Sequence, residues 1–246
     1  MNRSVVITAA GSSSRMGSGL KKEYRTLPGF PAGSLPDPSS GAKSGRMSVL
    51  SAAVHAFLSS AYRFDSIVVT VPERGEADAA RVLAEDPRIA PLITRNNTRL
   101  SFISGGSTRQ ESVFRALESL SGDDAPDTVL VHDGARPWIS CELIDAVQRT
   151  TEERGAAVPG IAAVDTQKEI DEEGRIIRHL ERRFIAAVQT PQGFRFSPLL
   201  EAHRKAAGDG RTYTDDAEIW GRYEGDVFVC PGDRENRKIT FPEDLA

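Results

Sequence analysis

The sequence predicts a doubly wound α/β domain built on a mostly parallel sheet. Strand-like runs, among them Val5–Thr8, Ser66–Pro72 and Thr128–Asp133, alternate with helix-length segments over about the first 160 residues, the rhythm of parallel strands joined by crossover helices. Two of these runs break into short loops, Ala9-Ala10-Gly11-Ser12-Ser13-Ser14-Arg15-Met16-Gly17 and Gly134-Ala135-Arg136-Pro137. Those are strand ends, where such a sheet opens its ligand crevice.

The elements follow in order. After the first loop, the Pro-, Gly- and Ser-rich stretch from about 25 to 46 has few apolar anchors and reads as a surface insertion. Ser48–Ser60 carries Val49, Ala52, Ala53, Ala56 and Phe57 at helical spacing, so a helix is expected. Ser66–Pro72 is a buried strand and Arg74–Glu85 its crossover helix. Leu100–Ser104 is a short strand leading to Gly105-Gly106. Thr108 with Glu111, and Ser107 with Gln110, are overlapping capping boxes for a helix that runs to about Leu120. Thr128–Asp133 is a central strand, Ser140–Arg154 a helix, and Gly155–Pro159 the next strand. The rhythm then changes. Val164–Ile170, a turn at Asp171–Gly174, and Arg175–Leu180 form an extended hairpin, a projecting arm over about 161–185 that needs a surface to bury against. A second subunit is the economical candidate. Helices at Pro198–Ala207 and from Thr214–Glu218, a strand at Asp226–Pro231 and a short one at Arg237–Thr240 complete a single domain over 1–246.

Bulk properties narrow the function. A chain of 246 residues can bury a sizeable core as one domain. A net charge of −4 argues against a general nucleic-acid binder. No apolar run approaches the ~20 residues of a membrane span and no signal-peptide pattern opens the chain. The two cysteines, Cys141 and Cys230, lie far apart without metal-ligand spacing, as structural thiols of a cytoplasmic protein would.

The chemistry is concentrated in three places. The first loop joins small residues, which let backbone N–H groups approach an anion, to two cations, Arg15 and Lys22. It suits a polyphosphate. It is neither a Walker loop, since Ser18 follows Gly17, nor the G-x-G-x-x-G dinucleotide fingerprint. Gly105–Val113 combines backbone donors, hydroxyls and a helix amino end, which could read the polar edge of a base; alone such a stretch is more often an ordinary capped helix. Asp133 ends an apolar strand, where a desolvated carboxylate needs a partner. Mg²⁺ arriving with a triphosphate would supply one, and a bridge to Arg136 is the local alternative. His132 is expected to be packed in its strand without a role. Lys238, Arg182 and Thr166 are unremarkable alone.

As a set the motifs resemble the 2-C-methyl-D-erythritol 4-phosphate cytidylyltransferase family. Its pieces are Ala9-Ala10-Gly11 with Arg15-Met16-Gly17 and Lys22-Glu23-Tyr24, Gly105-Gly106-x-x-Arg109-x-x-Ser112-Val113 and Val131–Pro137. Asp165-Thr166-x-Lys168, Thr190-Pro191-Gln192, Thr214–Ala217 and Lys238-Ile239-Thr240-x-Pro242–Leu245 follow. The resemblance implies a Rossmann-like nucleotidyltransferase fold, CTP and a small phosphorylated polyol as substrates, Mg²⁺ or another divalent cation, and a homodimer. It implies that Ala9, Ala10 and Gly11 line the nucleotide, and that Gly106 and Ser112 help recognise cytosine. Arg15, Lys22 and Lys238 would hold the triphosphate and stabilise charge at its α-phosphorus. Asp133 would attend the metal, while Thr166 and Arg182 would grip the second substrate's phosphate, the arginine reaching in from the partner subunit. The polyol's phosphate oxygen would then displace pyrophosphate in line, without a protein nucleophile. Two rivals are a ribitol 5-phosphate cytidylyltransferase, which shares the nucleotide loop, and a non-catalytic nucleotide-binding homologue. The joint retention of Arg15, Lys22, Asp133 and Lys238 disfavours the second. Departures from the family pattern are Ser107, where Asp is frequent, and the long insertion after Tyr24.

Overall fold

The computed structural model describes residues 1–12, 20–27 and 47–245. Arg15 and nearly all of the 25–46 insertion therefore lie outside the described residues. The elements are β1 (Arg3–Thr8), α1 (Val49–Ser59), β2 (Ser66–Val71), α2 (Glu76–Ala84), α3 (Ile89–Asn96), β3 (Arg99–Ser104), α4 (Arg109–Ser119) and β4 (Thr128–Asp133). They continue with α5 (Cys141–Arg154), β5 (Ala156–Ala162), β6 (Lys168–Ile170), β7 (Ile176–His179), β8 (Ala186–Val188), β9 (Gln192–Arg195), α6 (Phe196–Gly208), α7 (Asp216–Tyr223) and β10 (Phe228–Pro231).

The main sheet runs β10-β5-β9-β4-β1-β2-β3, with β8 paired to β5. β1 lies parallel between β2 and β4, β3 is parallel to β2, and β10 is parallel to β5. Strands of such a sheet are covered on both faces, so they read as continuous apolar runs. In β1 the alternate residues feed two different cores. Val5 and Ile7 pack with Leu50, Phe57 and Ile144 on the face of α1 and α5. Val6 packs with Val113, Leu117, Phe194 and Trp220 on the face of α4, α6 and α7. Side-chain caps start the helices where the sequence indicates them: Ser48 Oγ accepts from Ser51 N–H, Thr108 Oγ1 from Glu111 N–H, and Ser140 Oγ from Leu143 N–H. Of the two overlapping boxes, Thr108 is the cap.

Several elements differ from the sequence expectation. Arg237–Thr240 is not a strand. Ile239 donates one backbone bond to Ala135 O at 2.8 Å and is wholly buried, so the segment docks on the end of β4 without extending the sheet. α3 has no counterpart among the expected elements, and neither has the antiparallel β9, which is wedged between β4 and β5. Gly193 permits the wedge, because a Cβ there would stand 2.0 Å from Thr151 Oγ1 of α5. The expected hairpin is present as a short pair, with β6 and β7 forming a separate two-stranded sheet. Its surroundings expose Val164, Ile170, Ile176, Ile177 and Phe184, the last at 74%.

Candidate active site

A cavity of about 1110 Å³ opens at the carboxyl ends of the parallel strands. It is lined by Ala10 and Gly11 after β1, Gly105 to Arg109, Glu111 and Ser112 after β3, Asp133 at the end of β4, and by Lys22 and Lys238. The structure thus brings together most of the residues expected to carry the chemistry. Ala9 is the exception in this group: it is buried, and its N–H is used by Thr70 O at 2.9 Å. It holds the loop to β2 and does not line the cavity. Thr166 and Arg182 are exposed on the arm, outside the cavity lining, with Arg182 Nη1 donating to Val164 O at 2.8 Å.

Asp133 is the electrostatic centre. It is 6% exposed, and three cations surround it: Lys238 Nζ at 2.8 Å, Arg109 Nε at 3.4 Å and Arg136 Nε at 3.7 Å. Burial alone would push the carboxyl up; Lys238, then Arg109 and Arg136, outweigh it and hold the group well below the usual carboxylate range. The bridge to Arg136 expected as the local alternative is therefore real, as one of three.

Lys22 sits in a 3-10 turn, Lys22–Tyr24, and its ammonium donates to Ile239 O at 3.1 Å. Burial, aided by Lys238, lowers its pKa against the opposing pull of Glu23 and Asp133. Beside it, Lys21 pairs with the buried Glu23 at 3.1 Å and also donates to Gly11 O.

The loop after β3 needs its glycines. A Cβ on Gly105 would meet Ala10 Cβ at 2.3 Å, and one on Gly106 would meet the Glu111 side chain at 2.3 Å. Ser112 Oγ accepts from Gly106 N–H at 3.0 Å and donates to Thr108 O at 2.8 Å. Its hydroxyl therefore shapes the loop. Ser107 gives both its N–H and its hydroxyl to Glu111.

Behind the cavity, His132 is wholly buried, edge-on to Phe57. Its Nε2 is 3.1 Å from Arg136 O, and a carbonyl only accepts, so Nε2 carries the proton. Nδ1 then accepts from Thr190 Oγ1 at 3.2 Å, while Thr190 Oγ1 accepts from Asp133 N–H at 3.0 Å. The histidine packed in its strand, as the sequence reading expects, is what the fold contains. Residues that sequence reasoning leaves without a role hold the centre in place. Arg136 Nη1 donates to Asn236 O at 2.7 Å, and Asn236 Nδ2 to Thr190 O at 2.8 Å, which ties the segment carrying Lys238 to the sheet. Arg109 and Asp216 form a further pair at 2.8 Å. Both lie in motifs that could have flagged them, Arg109 after Gly105-Gly106 and Asp216 in Thr214–Ala217.

A parallel sheet with glycine loops and several cations at its strand ends defines an α/β protein of the nucleotidyltransferase fold class. The comparisons specify which. The family model described as IspD: 2-C-methyl-D-erythritol 4-phosphate cytidylyltransferase matches residues 42–246, and the chain belongs to that family. It is 37% identical over 242 residues to the "Bifunctional enzyme IspD/IspF" of Rhodopseudomonas palustris (strain HaA2), covering 98% of this chain and 53% of that protein. It thus spans about half the length of the bifunctional relatives that it matches. It is 31% identical over 243 residues to the "2-C-methyl-D-erythritol 4-phosphate cytidylyltransferase" of Clostridium botulinum (strain Eklund 17B / Type B), covering 98% of this chain and 95% of that one. Among solved structures, the 2-C-methyl-D-erythritol 4-phosphate cytidylyltransferase of Thermus thermophilus superposes with a TM-score of 0.69 at 30% identity, covering 100% of this chain and 96% of that one.

Proposed function

We propose that this chain transfers CMP from CTP to 2-C-methyl-D-erythritol 4-phosphate, releasing pyrophosphate and giving 4-diphosphocytidyl-2-C-methyl-D-erythritol for isoprenoid precursor synthesis. The observation that carries the reading is the convergence of Lys22 and Lys238 on one cavity with Asp133 and the Gly11 and Gly105-Gly106 loops. The chain acts as one catalytic unit over 1–246. Two free thiols, Cys141 and Cys230, suit a cytoplasmic setting. No helix among the described residues is long and apolar enough to cross a membrane.

Ala10, Gly11 and Gly106 receive the nucleotide against backbone, and Ser112 keeps the base-side loop in shape. Two anions must approach each other, so the protein's work is positioning and charge stabilisation. Lys22 and Lys238 stabilise the charge that develops as the phosphate oxygen attacks the α-phosphorus and pyrophosphate departs; Arg15 is assigned to the same task from the sequence. Asp133 is the residue to hold Mg²⁺ or another divalent cation. Among the described residues no three His, Cys, Asp or Glu side chains cluster as ligands. The Asp133 carboxylate is held ionised by the cations around it, the form that binds Mg²⁺ together with phosphates and waters. When bound, the ion would neutralise triphosphate oxygens.

Thr166 and Arg182 are assigned to the polyol's phosphate across a homodimer, with Arg182 supplied by the partner subunit. The apolar, exposed arm supports this reading, since exposed patches of this kind mark contact surfaces. The test is pyrophosphate release with CTP and Mg²⁺, offering methylerythritol 4-phosphate and ribitol 5-phosphate in parallel. Release with the first alone supports the assignment. Release with ribitol 5-phosphate alone replaces the substrate, and CTP binding without release replaces the enzyme with a binding module.

A further inference from the structure

The geometry points to Asp216 as the positioning residue that fixes Arg109 beside Asp133. Each is the first residue of its helix, Arg109 of α4 and Asp216 of α7, and Arg109 Nη2 lies 2.8 Å from Asp216 Oδ2. A carboxylate is favoured at a helix amino end and a cation is not. α4 therefore begins with a residue its own dipole disfavours, and a broken local rule of this kind marks a functional position with compensation elsewhere. The compensation comes from two sides. Asp216 holds the guanidinium from behind, and Asp133 faces its Nε at 3.4 Å.

Asp216 is itself secured. It is wholly buried, with Oδ1 3.2 Å from Nε2 of the buried His203, whose ring stacks on Phe114. Burial alone would raise its pKa; Arg109, then His203, outweigh that and hold it at about 2. His203, Asp216, Arg109 and Asp133 thus form a line from the core to the cavity wall. The guanidinium is a planar fork with donors in fixed directions. Ion-paired with Asp216 at Nη2 and with Asp133 at Nε, the guanidinium is held between the two carboxylates and away from a bound polyphosphate. Asp216 keeps the charge around Asp133 in one arrangement before substrate arrives, which is preorganisation.

The kinetic arm of the test rests on the proposed cytidylyl transfer; a spectroscopic arm does not. The full chain is labelled with ¹⁵N, and the Arg109 side-chain resonance is assigned by its loss in Arg109→Lys. The expected result is hindered rotation of the Arg109 guanidinium in the unmodified protein, with and without CTP, and free rotation in Asp216→Asn. A freely rotating guanidinium in the unmodified protein overturns the inference, even if Asp216→Asn does not fold. In kinetics, Asp216→Asn lowers kcat by about 100-fold, the scale of a misplaced group, with KM for CTP nearly unchanged. In an Arg109→Met background the same substitution adds almost nothing, because coupled residues are not additive. Full additivity would make Asp216 merely structural and overturn the inference. Absence of turnover in the unmodified protein would defeat the proposed reaction and leave the resonance to decide this one.

Discussion

Lys238 and Lys22 are tied to the same short piece of backbone. Lys238 Nζ meets Asp133 Oδ2 at 2.8 Å, while Lys22 Nζ donates to Ile239 O at 3.1 Å. The next residue's carbonyl thus anchors one cation while the other anchors Asp133, and Ile239 N–H is held by Ala135 O. Two distant parts of the chain deliver adjacent positive charges to one wall of the cavity.

Lys22→Ala should therefore lower turnover more than it weakens CTP binding. The expected loss in kcat is about 100-fold or more, the scale of losing one preorganised charge-stabilising group. Steady-state kinetics at saturating CTP check it, and unchanged turnover would remove Lys22 from the chemistry.

Asp133→Asn removes the carboxylate assigned to the metal. Calorimetric titration with CTP should then show that added Mg²⁺ strengthens binding about 10-fold less than in the unmodified protein, in line with losses seen when metal-site support is removed. Equal Mg²⁺ dependence in both proteins would place the ion elsewhere.

Gly105→Ala tests the join between the loops after β1 and β3. Its Cβ would stand 2.3 Å from Ala10 Cβ and 2.8 Å from Ser112 Oγ, so one loop must retreat. CTP affinity should drop by about 10-fold, of the order of one to two kcal/mol expected from overpacking. Fluorescence or calorimetric binding measures it, and native affinity would show that the loops tolerate separation.

His132 should make stability depend on pH. Burial lowers its pKa from an ordinary 6.5 to about 4. Between those values the unfolded chain binds the proton and the folded protein does not, so stability rises with pH across that window and is lost as pH falls through it. The shift corresponds to about 3 kcal/mol at most. Urea unfolding in metal-free buffer from pH 7 to 4.5 should show the decline, and His132→Phe should flatten it even if its overall stability is lower. An equal slope in both proteins would assign the effect to other groups.

Arg182 and Lys22 offer a test of shared sites. Arg182→Ala and Lys22→Ala should each be nearly inactive as pure dimers. Mixed after subunit exchange, half the dimers are hybrids with one intact site of two, so about a quarter of native activity should return. No recovery on mixing would mean that Arg182 serves its own subunit's cavity or none.

Much of this architecture is legible because burial and chemistry coincide with local sequence. β1, β2 and β4 are covered on both faces, so their apolar runs stand out, and Thr108 with Glu111 announces its helix. What escapes notice depends on contacts between distant segments. α3 is short and carries Pro91 in its first turn, so the stripe of Ile89, Leu92 and Ile93 that packs on the core spans little more than one turn and is easily passed over. β9 opens with Gln192, whose amide bonds Asp215 and Ala217, and its polar start hides a buried strand. Ile239-Thr240 looks like a strand because β-branched residues favour one, yet its burial comes from docking on Ala135. In the site, the small-residue loops and the lysines can be read along the chain. The Arg109–Asp216 pair cannot, since only folding places the starts of α4 and α7 together.

The most direct measurement uses CTP labelled with ³²P at its α-phosphorus, mixed with the protein, Mg²⁺ and methylerythritol 4-phosphate, then quenched in acid. The expected result is label in the polyol's cytidine diphosphate ester, matched by unlabelled pyrophosphate, with none bound to protein. Label held covalently by the protein would contradict direct displacement, and label remaining wholly in CTP would contradict the reaction itself.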